Sequence, residues 1–94
     1  MATKKGGVSI YTVYILRCAD ETLYTGITTD VKRRVGEHNH SALGARYTRG
    51  RRPVILLWSR PFSTRSLALR EEARIKALPR AQKEYLIRSR EGEI

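Results

Sequence analysis

The chain has 94 residues, 19 Lys and Arg against 9 Asp and Glu, a formal charge of +10, and 40% hydrophobic residues. That length makes one domain with a small core, no apolar run approaches the roughly 20 residues of a membrane span, and a lone cysteine, Cys18, excludes an internal disulfide. Fourteen of the basic residues are arginine, whose planar fork matches phosphate oxygens, so the excess points to a nucleic-acid partner rather than to a membrane surface, which would need a basic amphipathic helix with exposed bulky apolar residues.

Residues 1–9 read as a basic flexible tail, since no apolar run follows Lys4 and Lys5 to form a signal peptide. The unpaired thiol fits a reducing, cytoplasmic setting. The domain is expected over 10–90, with 91–94 as a C-terminal tail.

From Ile10 to Cys18 the chain is rich in β-branched and aromatic residues. Both alternating sets, Ile10, Thr12, Tyr14, Leu16 and Tyr11, Val13, Ile15, are largely apolar, which predicts a strand covered on both faces. Asp20-Glu21 breaks it, and Leu23 to Thr28 resumes strand character, so the two pair as an antiparallel hairpin. Thr29 or Asp30 can cap a helix running to about His40. Ser41 to Arg52 is a basic loop with room for one helical turn. Pro53 to Ser59 reads as a buried strand. Ser63, Thr64 or Ser66 caps a second helix ending near Leu78, and Pro79 suits the first turn of a last helix running to about Arg90. The predicted fold is α+β, a small single domain in which a three-stranded antiparallel sheet is flanked by helices, in the order ββαβαα.

Several residues in this frame carry chemistry. Tyr14 and Tyr24 lie on neighbouring strands. They share a face only if the hairpin loop is odd, such as Ala19 to Glu21, or if a bulge intervenes; an odd loop or bulge is therefore predicted. A strand tyrosine alone is usually packing. Gly26, read as the end of the second strand, would let another group or a phosphate approach the backbone. Arg34 and His38 are spaced i,i+4 and share a helical face, a plausible phosphate clamp; on spacing alone a solvated face is the simpler reading. Arg33 and His40 point elsewhere. Glu71 and Glu72 are the only acids between Glu37 and Glu84. Glu71 falls in the apolar arc of Leu67, Ala68, Ile75 and Leu78, with Glu72 on its flank, and periodicity does not choose between them. A carboxylate there needs a partner, either a metal ion or, for Glu72, Lys76 at i,i+4. No zinc set of Cys and His, phosphate loop, dinucleotide fingerprint or nucleophile elbow is present.

Taken in order, these residues resemble the GIY-YIG endonuclease family. Thr12-Val13-Tyr14 is similar to its first motif and Tyr24-Thr25-Gly26 to its second, with Thr12 where the family name has glycine and Thr25 where it has isoleucine. The family arginine falls on Arg34, a histidine carried by several members on His38, and the family glutamate on Glu72, within Glu72-Ala73-Arg74-Ile75-Lys76. The likeness spans about Tyr11 to Ile87. It is strongest to small stand-alone members of unassigned function, which share a Gly44-Ala45-Arg46-Tyr47-Thr48 stretch and the run from Arg65 to Arg70. Some members use an asparagine near the domain end; this chain has none after Asn39, and Lys83 would substitute.

The resemblance implies a metal-dependent DNA endonuclease, set in DNA repair or processing, with one Mg²⁺ (or Mn²⁺) held by Glu72. Tyr24 would be the general base, Arg34 would hold the scissile phosphate, and Tyr14 and His38 would position water or phosphate, with His38 a candidate proton relay. A free tyrosine titrates near 10, so nearby cations would have to favour the phenolate. Substrate contacts are expected from Gly26, Arg33, Arg46, Arg49, Arg51, Arg52 and Lys83, with Tyr47 stacking on a base. Other readings are a GIY-YIG-shaped module that binds nucleic acid without cutting, and an adaptor for an acidic protein. Specificity in the nuclease reading is low, structure-based or supplied by a partner protein.

Overall fold

The two-sided apolar pattern around Tyr14 sets the architecture. In a computed structural model, which describes residues 10–89, β1 (Tyr11–Arg17) is the central strand of a three-stranded antiparallel sheet ordered β2-β1-β3, with β2 (Leu23–Thr28) and β3 (Ile55–Phe62) as edges. The expected tails over 1–9 and 91–94, and Arg90 as the end of the last helix, lie outside the described residues. Val13 and Ile15 face one side of the sheet and pack with Trp58, Ala68, Ile75 and Leu86, drawn from β3, α3 (Arg65–Lys76) and α4 (Arg80–Ser89). Tyr14 and Leu16 face the other side and pack with Val35 of α1 (Val31–His40). Helices on both faces are why β1 shows no polar stripe. Each aliphatic side chain fully buried there contributes about 1.5–3 kcal/mol relative to exposure.

The hairpin has the parity that the two tyrosines require. Tyr14 pairs with Gly26 and Leu16 with Tyr24. Directly paired residues share a face, as do residues two apart in one strand, so Tyr14 and Tyr24 lie on the same side. Ala19, Asp20 and Glu21 form the odd loop, closed by Glu21 N–H to Cys18 carbonyl at 2.9 Å and Cys18 N–H to Thr22 carbonyl at 2.8 Å. Glu21 takes the left-handed conformation, φ 71°, that a three-residue hairpin loop needs at its last position. Asp20 braces it by accepting from the Thr22 hydroxyl at 2.6 Å.

The third strand differs from the expected Pro53–Ser59. It begins at Ile55, runs to Phe62, and is a half-exposed edge rather than a buried strand. Pro61 has no N–H for a ladder, but an edge strand tolerates it. Ile15 pairs with Trp58 and Leu16 with Leu56, leaving Leu57 as an extra, bulged residue. The bulge lets Leu56 face α1 and Trp58 face α3, which unbroken alternation would forbid.

Two side-chain caps fix the helices that carry the candidate residues. Asp30 accepts from Arg33 N–H at 3.0 Å at the start of α1, and Thr64 from Leu67 N–H at 3.1 Å at the start of α3. α2 (Arg46–Arg49) is the single helical turn in the basic loop. Asn39 joins α1 to the chain entering β3 through paired hydrogen bonds with Val54, 2.7 and 3.1 Å. No helix among the described residues is long and apolar enough to cross a membrane.

Candidate active site

Gly26 is the seat of Tyr14. It lies inside β2 rather than at its end, and it is buried. A Cβ built on it would stand 2.6 Å from Tyr14 Cζ and closer still to the hydroxyl oxygen. The missing side chain therefore admits the Tyr14 ring over β2, and the approach expected at this glycine is made by tyrosine rather than by phosphate. Tyr14 is 1% exposed, and its hydroxyl is 2.8 Å from His38 Nε2.

Tyr24, Tyr14 and His38 converge. The Tyr24 ring centroid is 6.4 Å from that of Tyr14 and 5.3 Å, edge to face, from that of His38. Among the described residues the Tyr24 hydroxyl has no hydrogen-bond partner, and the residue is half-exposed. Arg34 lies close enough for its charge to act on Tyr14 and His38, while donating to Glu37 Oε1 at 2.7 Å and to the Leu43 carbonyl at 2.8 Å. Arg33 pairs with the other Glu37 oxygen at 2.8 Å. These two arginines, Arg34 foremost, hold the Glu37 carboxyl below its usual range.

Burial first, then the neighbouring Tyr24, push the Tyr14 hydroxyl up to about 12. Arg34 opposes that rise and the charge of Glu72 adds to it. Glu72, and not Glu71, is thereby the glutamate whose charge is felt at Tyr14. The Glu71 carboxyl is held low by a bidentate pair with Arg74, 2.7 and 2.9 Å, and also feels Arg60 on β3. Both glutamate side chains are largely buried, and Glu72 has Lys76 at 3.3 Å. His38 is fully buried, and burial together with Arg34 pushes it down to about 4. It is a neutral imidazole near pH 7, which removes an imidazolium from the roles open to it.

The basic loop differs most from expectation. Arg52 is half-buried and donates to the carbonyls of His38 and Ser41, the latter at 2.6 Å, closing the C-terminal end of α1. Arg49 donates to the Ala42 carbonyl at 2.8 Å. Arg51 pairs with Asp20 at 2.9 Å, donates to the Tyr47 carbonyl at 2.7 Å, and covers the Tyr47 ring with its guanidinium 3.9 Å from the centroid. The Tyr47 ring also stacks on Tyr24 at 5.8 Å, so this tyrosine walls the site where a free platform for a base was expected. Arg46 is exposed and has no partner among the described residues; Lys83, on α4, likewise has none. A groove of about 430 Å³ between α3 and α4 takes in none of the expected residues. A site for a polymer backbone is an open surface, so the convergence of side chains locates it better than cavity size.

Thr48, Ala45, Gly44 and Asn39 are structural partners of the site that residue-by-residue reading did not assign. The signal for three of them was the stretch Gly44-Ala45-Arg46-Tyr47-Thr48, which closes on His38.

No group of three or more His, Cys, Asp or Glu that could hold a metal occurs among the described residues. A single carboxylate, Glu72, fits a cation that keeps most of its water, as Mg²⁺ does, and does not fit a protein-caged Zn²⁺ or Ca²⁺.

The profile of the GIY-YIG catalytic domain matches residues 10–93. Among curated relatives, a UPF0213 protein of Natronomonas pharaonis is 54% identical over 80 residues, 85% of this chain and 93% of its own length. Another from Halobacterium salinarum is 58% identical over 74 residues, 79% of this chain and 95% of its own. The solution structure of a UPF0213 protein from Bacillus halodurans superposes with a TM-score of 0.57 at 46% identity, covering 88% of this chain and 86% of that one. The solution structure of a protein from E. faecalis gives a TM-score of 0.61 at 41% identity, covering 95% of this chain and 90% of that one.

Proposed function

The chain belongs to the GIY-YIG family, a nuclease superfamily, and on that premise we propose that it is a metal-dependent endonuclease that hydrolyses phosphodiester bonds in nucleic acid, DNA first. The observation that carries the reading is the meeting of Tyr14, Tyr24, His38 and Arg34 on one side of the sheet, with the charge of Glu72 felt at Tyr14. Tyr24 is the base: the residue is half-exposed and its hydroxyl has no partner among the described residues, whereas burial holds Tyr14 protonated. The attacking water gives its proton to the Tyr24 oxygen as its own oxygen bonds to phosphorus and the ester P–O bond breaks. Arg34 neutralises the charge that grows on the phosphate oxygens. Glu72 would hold one Mg²⁺ or Mn²⁺, which when bound supplies positive charge to the phosphate and the leaving oxygen.

One observation favours a module that binds without cutting: Glu72 already has Lys76 beside it. An i,i+4 pair of this kind is worth only about 0.2–0.5 kcal/mol, too little to keep the carboxylate from a divalent cation. The test is plasmid nicking with Mg²⁺ or Mn²⁺. Wild type should nick; Tyr24→Phe and Glu72→Ala should each lose at least about 100-fold in rate while retaining DNA in gel shifts. Equal cleavage by all three proteins rejects the assignment, and retention without scission by wild type selects the binding module.

A further inference from the structure

The contacts of His38 fix its tautomer as well as its place. Nδ1 lies 3.2 Å from the backbone nitrogen of Ala45, which can only donate, and 3.1 Å from Thr48 Oγ1. A ring nitrogen that accepts from an N–H carries no proton, so the neutral imidazole holds its proton on Nε2. Nε2 therefore donates to Tyr14 Oη, 2.8 Å away. The positive charge of Arg34 is felt at the same hydroxyl. With that imidazole N–H aimed at Oη, the phenol's own proton must point away from His38. Thr48 is fully buried and donates its hydroxyl proton to the Ala45 carbonyl, 2.9 Å away, so it holds the turn that brings the Ala45 N–H to Nδ1. Gly44 permits the closure, since a Cβ there would stand 2.8 Å from His38 Cα.

We propose that Ala45 and Thr48 are positioning residues that lock His38 as its Nε2–H tautomer, so that His38 presents Tyr14 as a hydrogen-bond donor to an oxygen of the scissile phosphate or of a water beside it. The inference rests on the nuclease reading for its consequence, but its geometry stands apart from it. In this arrangement His38 carries no proton to or from the substrate. The downward push on His38 and the upward push on Tyr14 agree with a neutral ring and a protonated phenol.

Two measurements test this. In ¹⁵N-labelled protein, the long-range proton–nitrogen spectrum of His38 should show an unprotonated Nδ1 and a protonated Nε2 from about pH 5.5 to about pH 8. An imidazolium or an Nδ1–H ring at pH 7 overturns the proposal. In nicking assays His38→Gln, whose amide N–H can replace the Nε2 donor, should stay within about tenfold of wild type, and His38→Leu should fall on the order of 100-fold in kcat. Thr48→Val should lower kcat about tenfold at unchanged KM and bring a second tautomer into the spectrum, and Thr48→Ser should recover most of both. If His38→Gln is as inactive as His38→Leu while both give a folded amide spectrum, His38 moves a proton and the proposal fails. If Thr48→Val alters neither tautomer nor kcat, the clamp is not there. A wild type that cuts nothing defeats the nuclease reading alone; the tautomer spectrum still decides the lock.

Discussion

At Gly26 the smallest side chain in the chain and one of its largest occupy the same space. The Tyr14 ring fills the position of the absent methyl, and it cannot retreat, because it is buried and held by His38. Gly26→Ala should therefore destabilise by about 1–3 kcal/mol, as overpacked cores do. For a domain of this size that lowers the melting temperature by roughly 4–8 °C per kcal/mol, and the displaced hydroxyl should lower nicking in parallel; an unchanged melt would show that the ring moves freely. His38 gives a second residue-scale expectation. Its folded value is depressed to about 4 from the usual 6.5, so the unfolded chain binds the proton more readily. The contribution is complete above about pH 6.5 and is lost as pH falls toward 4. Between those limits wild type should lose on the order of 2 kcal/mol more than His38→Gln, read from chemical denaturation at each pH. The depressed carboxyl of Glu37 loses its contribution at lower pH, in the same direction. The residue types of this site were readable from order and spacing. The choice of Glu72 over Glu71 was not visible to helical periodicity, because both side chains are largely buried and only the fold decides that Glu71 feels the charge of Arg60 while the charge of Glu72 is felt at Tyr14.

Among the elements, α1 depends on a residue outside it. The last carbonyls of a helix have no partners within it, and Arg52 supplies donors for those of His38 and Ser41. Arg52→Ala should cost about 1.5–3 kcal/mol, the range for hydrogen bonds to a charged group, in thermal melts, with no change in the salt dependence of nucleic-acid binding. A changed salt slope with an unchanged melt would return Arg52 to the phosphate contacts. Hairpin parity was legible because two tyrosines that must share a face admit only an odd loop or a bulge, and Ala19 to Glu21 supplies the loop. The limits of β3 were not legible. Pro53 and Pro61 both punctuate the sequence, and nothing local says that the second sits inside an edge strand or that Leu57 is bulged. The capping role of Arg52 was hidden for a related reason: a basic loop looks alike whether its guanidiniums face phosphate or their own backbone.

For the whole molecule, a formal charge of +10 overstates the free cationic surface. Arg33, Arg51, Arg74 and Arg80 are paired with carboxylates, and Arg49 and Arg52 with carbonyls. Lys32, Arg46, Arg65 and Arg70 are exposed and have no partner among the described residues. Affinity for duplex DNA should fall steeply with salt, and Arg46→Ala should reduce the slope of log K against log salt by about 1, measured by fluorescence anisotropy; a slope unchanged by that substitution places the footprint elsewhere. Net charge was readable from composition, but its distribution between internal pairing and free surface arises only on folding.

Trp58 is the chain's one tryptophan, packed between the sheet and α3 with an indole N–H that has no partner among the described residues. An indole in such dry surroundings emits at short wavelength and shifts to the red once water arrives. The protein thus contains an intrinsic fluorophore on the underside of the helix that bears Glu72. Loosening of that helix would register as a colour change, with no label attached, even while the tyrosine side of the sheet kept its shape.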